Sequence, residues 1–370
     1  MKQTIAPKKV QLTELFYDLV FVYAVSQLTS LLTHIPEESN FFQQFIIFFV
    51  VMIVFINTWM IETVFTNRYG KNSIGNIIFF MFDMAIVLFM STNFTGNVQN
   101  WFQPFTLAAA LLSGTLVLQY LLVFLKPNTT TDKNIAKLFI YILSLRTIFL
   151  LIGALLPLKI GLLIALIGVL TSWILPGIFT QRMIGHPINF PHLLERLTAL
   201  IIISFGESIV DIAPYFGRKD FTLYSIFIFI LLCALFMTYI TQFDHYIDEE
   251  RINQTGNRLI YLHYPILFGV SLITASLDFI SEAKFPKTLT AIILYSGLIL
   301  FYWGIFLADF YNKESIQKEL HVRICFVVTT LLGLVLSFIF PNFKSLVLIT
   351  MFVVVINSVV LSESMIRQTR

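Results

Sequence analysis

The chain alternates long apolar runs with short polar breaks. A helix that crosses a hydrocarbon core needs about 20 mostly apolar residues. Read between polar and proline interruptions, the apolar runs predict twelve such helices. They cover 12–33, 41–65, 75–92, 104–125, 135–156, 160–180, 193–212, 222–245, 257–278, 287–308, 320–340 and 343–362. The breaks carry turn-forming residues: Ile35-Pro36-Glu37, Lys126-Pro127-Asn128, Leu156-Pro157 and Pro341-Asn342. No break is long enough to hold a soluble domain.

Composition supports the same reading. Of 370 residues, 57% are hydrophobic and only 12% charged, with 39 Phe. The mean hydropathy is +0.84. Soluble domains carry about twice that share of charge, and disorder needs low hydrophobicity and high charge. A net charge of +3 is too small to point to a nucleic-acid partner. The expected class is an all-α polytopic transmembrane bundle surrounded by membrane lipids.

Lys2, Lys8 and Lys9 precede the first apolar run, as in a signal peptide. That run is too long for one and holds Glu14 and Asp18 in its first turns. It reads as a retained membrane helix. Cys233 and Cys325 lie inside apolar runs and form no disulfide framework or metal spacing.

An even number of spans puts both termini on one side. With both inside, most Lys and Arg fall at the inner ends, among them Arg68, Lys126, Arg182, Arg251, Lys313 and Arg367. The outer ends keep Lys159, Arg218, Lys219, Lys284, Lys287 and Lys344, and Arg146 falls within a span. The positive-inside rule then predicts cytoplasmic termini in a bacterial cell membrane.

Transporter folds often contain weak internal repeats. Gly75-Asn76 opens the third span and Gly256-Asn257 the ninth, 181 positions later. Glu14 and Glu195 have the same offset. Pro157 and Pro341 close corresponding spans, each followed within three residues by a lysine. These landmarks predict two six-helix halves in parallel orientation, 1–181 and 182–370, with any shared cavity at their interface.

Ionisable residues inside spans are costly, roughly 2.5–3.5 kcal/mol each at a helix centre, and each is a functional candidate. Glu14 and Asp18 are four residues apart, hence on one helix face. Two carboxylates close together in low dielectric rarely both ionise. Asp18, Asp83 and Arg146 lie at comparable depths, which predicts an Asp–Arg pair or triad. Such a group reads either as an ion pair that fixes helix packing or as a proton or cation relay. In span seven, Glu207 lies about three turns beyond Glu195 and Arg196, next to Gly206, which permits close helix approach. It is the strongest single candidate for ion transfer. His263 precedes Pro265, which should kink span nine. A membrane histidine can move protons, or it can be a satisfied core residue. Trp59, Glu62 and Thr63 read as interface anchors, and Asp278, Asp309 and His321 as solvated span ends.

No Walker loop, HExxH, GxSxG, CxxC or TVGYG occurs. The pattern therefore implies no ATP motor, hydrolase, redox pair or potassium filter. No cofactor, resident metal or catalytic residue is indicated.

Three segments carry a family resemblance. The first is Glu14-Leu-Phe-Tyr-Asp18-Leu-Val-Phe-Val with Gln27-Leu28. The second is His192-x-x-Glu195-Arg196 leading to Gly206-Glu207-Ser208. The third is Trp59 with Asn67-Arg68. Together they resemble the bacterial low temperature requirement A family. Tyr17 and Tyr69 stand where Phe is expected, and Leu197-Thr198 where Phe-Gly is frequent. The resemblance implies a polytopic membrane protein whose loss impairs growth in the cold, with no settled biochemical activity.

The expected function is a transporter or channel for a small ion or solute, with proton coupling through Glu14, Asp18, Asp83, Arg146, Glu207 and His263. A homo-oligomer is compatible with it. One alternative is a lipid-modifying membrane enzyme using His192 and Glu195 as acid and base. Another is a non-transporting scaffold or sensor in cold adaptation.

Overall fold

The computed structural model describes residues 8–33, 41–92, 94, 97–252, 254–281, 286–316 and 319–369. The break at 35–37 and the charges Lys2, Lys284, Lys318 and Arg370 lie outside them. Twelve long helices follow one another in the described residues: α1 (Leu12–Thr33), α2 (Phe41–Tyr69), α3 (Ile74–Thr92), α4 (Val98–Leu125), α5 (Thr130–Leu155), α6 (Leu158–Ile178), α7 (Phe190–Ile212), α8 (Leu223–Ile240), α9 (Asn257–Ser281), α10 (Lys287–Leu307), α11 (Leu320–Ile339) and α12 (Phe343–Thr369). Each is long and apolar enough to cross a membrane. The last turn of α8 widens into a π-helical segment, Thr241–Tyr246. No strand is formed among the described residues, only an isolated bridge between Ile247 and Asn312.

Several helices outrun their apolar runs because polar side chains extend them. Thr129 accepts from Asp132 N (3.1 Å) while Asp132 accepts from Thr129 N (3.0 Å), so α5 starts at a capping box. Asn97 caps α4 through Gln99 N (3.1 Å), which leaves Pro104 inside that helix. At the end of α2, the Thr66 hydroxyl bonds back to Glu62 O (2.8 Å). The helix continues through Asn67 and Arg68 to Tyr69, where Asn67 Nδ2 donates to Asn189 O (2.9 Å) and Arg68 Nε to His186 O (3.1 Å).

The chain forms two compact units. The first comprises Met1–Leu200 with Glu249–Ile260, the second Ile201–Asp248 with Tyr261–Arg370. In the first, α1 packs on α2 and α3, α4 lies against α3 and α5, and α5 runs along α6. A Cβ on Gly153 would sit 2.8 Å from Gly161 O, so small residues let α5 and α6 approach closely, as membrane helices do. Tyr120 stacks on Phe139 at 4.8 Å within an apolar cluster that includes Phe65, Leu116 and Leu143.

In the second unit, α12 packs along α8 and α11, and α10 against α11. Gly269 and Gly297 make a similar close approach, with a Cβ on Gly269 reaching 2.7 Å from Gly297 O. One face of α11 exposes Leu320, Ile324, Val327 and Leu331, a helical spacing of apolar residues that suits lipid contact.

The landmark glycines differ in conformation. Gly256 has φ of +82°, a left-handed backbone that favours glycine. Its missing Cβ would also meet Ile188 and Leu193 at 2.8 Å. Gly75 is an ordinary helical residue with open space around it.

Candidate functional site: a buried charge network

The first unit buries a charged network where α1 and α7 begin. Glu14 sits in the first turn of α1 and its Oε2 accepts from Gln11 N (2.8 Å). A carboxylate at this position satisfies an orphan amide and matches the positive end of the helix dipole. The same oxygen lies 3.1 Å from His192 Nε2. Arg196 Nη1 is 3.9 Å from Glu14 Oε1.

One turn later, Asp18 is fully buried. Its Oδ1 accepts from Trp59 Nε1 (2.6 Å) and from Arg196 Nη2. The Arg196 guanidinium also lies over the Trp59 ring, 5.1 Å from its centroid, and donates to Thr66 Oγ1 at 3.3 Å. Trp59 thus engages both members of the ion pair. Asp18 Oδ2 and Arg196 Nε are buried without a hydrogen-bond partner among the described residues.

Asn67 fixes the state of His192. Its Oδ1 accepts from Asn189 N (2.8 Å) and its Nδ2 donates to Asn189 O (2.9 Å). The amide orientation follows from that pair. Nδ2 is also 3.0 Å from His192 Nδ1. Since Nδ2 is a donor, Nδ1 must accept, and the ring hydrogen belongs on Nε2, facing Glu14. Asn189 Oδ1 accepts from His192 N (3.2 Å) at the start of α7.

Lys8 closes the network outside the spans. Its ammonium donates to three carbonyls at the end of α2: Thr66 O, Asn67 O (3.3 Å) and Gly70 O (2.9 Å). A cation suits the negative end of a helix. Burial pushes the Lys8 pKa down from its ordinary value near 10.5, with Glu14 opposing the shift and Arg196 adding to it.

The Asp–Arg group expected from depth takes a different form. Asp18 pairs with Arg196, while Arg146 donates to Asn57 Oδ1 (2.8 Å) and Thr58 Oγ1 (2.6 Å). Ser172 also donates to Asn57 Oδ1 (2.7 Å), tying α2 to α5 and α6. Asp83 is fully buried on α3, and neither of its carboxylate oxygens has a hydrogen-bond partner among the described residues. Trp59, Glu62 and Thr63 are all buried rather than interface anchors, because α2 runs one turn further than its apolar stretch. Asp309 pairs with Arg323 and is not a freely solvated end.

Glu195 is exposed on α7, whereas His192 and Arg196 of the same motif are buried. The structure therefore does not join His192 and Glu195 as an acid–base pair. Arg68 donates through Nε to His186 O (3.1 Å). His186 in turn contacts Asp132 through Nδ1, a contact that the sequence reading did not single out.

In the second unit, Glu207 is half-buried. A Cβ on the neighbouring Gly206 would meet nothing within 4 Å, so this glycine does not mark the close helix contact expected there. Ser208 bonds Thr274 at 2.6 Å. His263 is fully buried, 3.2 Å from Tyr239 OH and against the Phe243 ring.

The sequence reading passed over Glu62 as a buried group and Thr66, Asn189 and Lys8 as members of the network. Only the continuation of α2 past its apolar run could have flagged them.

The family model of the bacterial low temperature requirement A protein matches residues 9–358. It spans all three motifs, of which Glu14, Asp18, Trp59, Asn67, His192 and Arg196 meet in this network. No curated protein matches the chain.

Proposed function

The chain belongs to the bacterial low temperature requirement A family, and from that premise we propose that this multi-pass membrane protein moves a small ion or solute with proton coupling. The observation that carries the reading is the His192–Glu14 contact at 3.1 Å. In that contact Glu14 is the group that can take up a proton, a carboxylate within a span, and the neutral imidazole of His192 positions it through Nε2–H. Lys8 and Arg196 balance the charge of Glu14 and Asp18, so the network tolerates burial while keeping that proton movable. The distribution of Lys and Arg supports cytoplasmic termini, which would put His192 and Glu14 near the inner surface. The near-constant offset between landmarks supports two parallel six-helix halves. Glu207 would serve as a carboxylate of the second half.

The test is proton flux into liposomes that contain the full chain and a pH-sensitive dye. His192→Gln should abolish coupled flux, and exposed Glu195→Gln should leave it intact. Unchanged flux in His192→Gln at every pH overturns the proposal.

A second reading is a non-transporting scaffold. The bonds of Asp18 to both Trp59 and Arg196 favour it, since such a knot fixes α1, α2 and α7 together. Normal cold growth of a strain carrying His192→Gln, with loss of growth for Arg196→Gln, would select it.

A further inference from the structure

A second pair of acids lies deeper in the first unit. Glu62 on α2 and Asp83 on α3 are 1% and 0% exposed, and they interact electrostatically with each other. Both oxygens of Asp83 and Oε2 of Glu62 are buried without a hydrogen-bond partner among the described residues. Two of the groups around them are also unsatisfied among the described residues. From α4, Gln119 lies against Glu62 and turns its amide toward it, although Nε2 reaches no well-aligned hydrogen bond among the described residues. Thr115 lies beside Asp83, but its hydroxyl donates to Leu112 O at 2.7 Å. From α1, Tyr17 lies within range of both acids with its hydroxyl unpartnered.

Natural proteins rarely leave so many buried polar atoms unmatched, and such groups need an explanation. Here the charge balance supplies one. The cation that faces Glu62 is Arg196, already engaged by Asp18. Glu14 adds further negative charge from α1, and Tyr120 contributes only a neutral hydroxyl from α4. Two carboxylates in low dielectric with no counterion of their own among the described residues do not readily both ionise. A bound metal cation would relieve them too, but among the described residues no group of three or more His, Cys, Asp or Glu side chains could hold one.

We propose that Glu62 and Asp83 form a buried carboxyl pair that takes up and releases one proton, with Tyr17 between it and the Asp18–Arg196 network. The step is a bare proton transfer. A carboxyl O–H bond forms as an O–H bond of hydronium breaks, water is left, and no electrons change hands. This deepens the transport reading and rests on it for its role, since the pair is the station where a coupling proton would reside.

The test is infrared spectroscopy of the full chain in lipid, comparing acidic with alkaline buffer. The expected result is a protonated-carboxyl band that shifts on exchange into deuterium oxide and disappears in both Glu62→Gln and Asp83→Asn. Gln119→Leu, which keeps both acids, should shift the band without removing it. If either acid variant fails to fold, the wild-type band and its shift in Gln119→Leu decide. A band absent from wild type, or unchanged in every variant, overturns the proposal. Loss of the band on adding sodium at constant pH overturns it in favour of a cation site. A band without solute flux keeps the proton site and defeats transport, whereas flux without a band does the reverse.

Discussion

His192 Nε2 lies 3.1 Å from Glu14 Oε2, and the other ring nitrogen is held at 3.0 Å by Asn67 Nδ2. The imidazole therefore bridges α1 and α2 with one nitrogen donating and the other accepting. Asn67→Asp would present only acceptor oxygens to Nδ1. The ring should then carry hydrogens on both nitrogens. Nitrogen NMR of histidine-labelled protein at neutral pH reads this directly. Wild type should show one protonated and one bare ring nitrogen at His192, and the variant two protonated ones. A doubly protonated wild-type ring would refute the assignment.

Arg196 tests what the buried ion pair contributes. Removing one partner of a buried pair leaves an uncompensated charge and costs roughly 3–5 kcal/mol. Arg196→Gln should destabilise the protein by about that much in denaturant unfolding in detergent. Arg196→Gln with Asp18→Asn should recover part of the loss, because the orphaned charge goes too. The exposed Arg367–Glu363 pair on α12, 3.3 Å apart, is the control. Its removal should cost about 0.5 kcal/mol or less.

How much of this site the sequence disclosed depends on what one helix can encode. The spacing of Glu14 and Asp18 placed both on one face of α1, and both do meet Arg196. The twelve helices were likewise legible, because lipid demands long apolar runs. Partner choice between helices was not legible. Counting residues from a surface gives depth but not direction around the axis. Asp18 and Arg146 thus appeared level and paired, although Arg146 reaches Asn57 and Thr58 instead. Glu62 was misread for another reason. Its neighbours Asn67 and Arg68 look like the end of a span, yet they remain in α2 and bond to Asn189 O and His186 O.

Lys8 gives the network a pH signature. Burial lowers its pKa below the ordinary 10.5, so the unfolded chain binds the proton more tightly than the folded one. Between the lowered value and 10.5, the unfolded state holds more protons and stability rises with pH. Below that window the cost of charging buried Lys8 is fully present. Lys8→Met removes this titration together with the carbonyl contacts. The stability of wild type minus that of the variant should therefore climb as pH rises through the window. A flat difference across it would show that Lys8 is not desolvated.

The approach of α5 and α6 makes a packing prediction. A Cβ on Gly161 would collide with Gly153 O and stand 3.0 Å from Phe102 Cε1. Backbone cannot yield as a flexible side chain can, so Gly161→Ala should destabilise by about 1–3 kcal/mol. Gly75→Ala meets open space in the first turn of α3, where restricting the unfolded chain should favour alanine by about 0.4–1 kcal/mol. The two substitutions should move the unfolding midpoint in opposite directions. Equal effects would mean that α5 and α6 do not touch at these glycines.

Under the proposed proton coupling, Glu207 is the carboxylate assigned to the second unit. It is half-buried in α7, within a helix long and apolar enough to span the membrane. The adjoining Gly206 has room around it, so the local helix face is not sealed by packing. Glu207→Gln keeps size and hydrogen-bonding capacity but removes the exchangeable charge. In liposomes it should abolish coupled flux, while an unfolding transition in detergent shows that the variant still folds. Glu207→Asp, which restores the carboxylate one methylene shorter, should return part of the flux. If Glu207→Gln transports like wild type at every pH, the proton does not pass through this residue, and coupling would rest on the acids of the first unit.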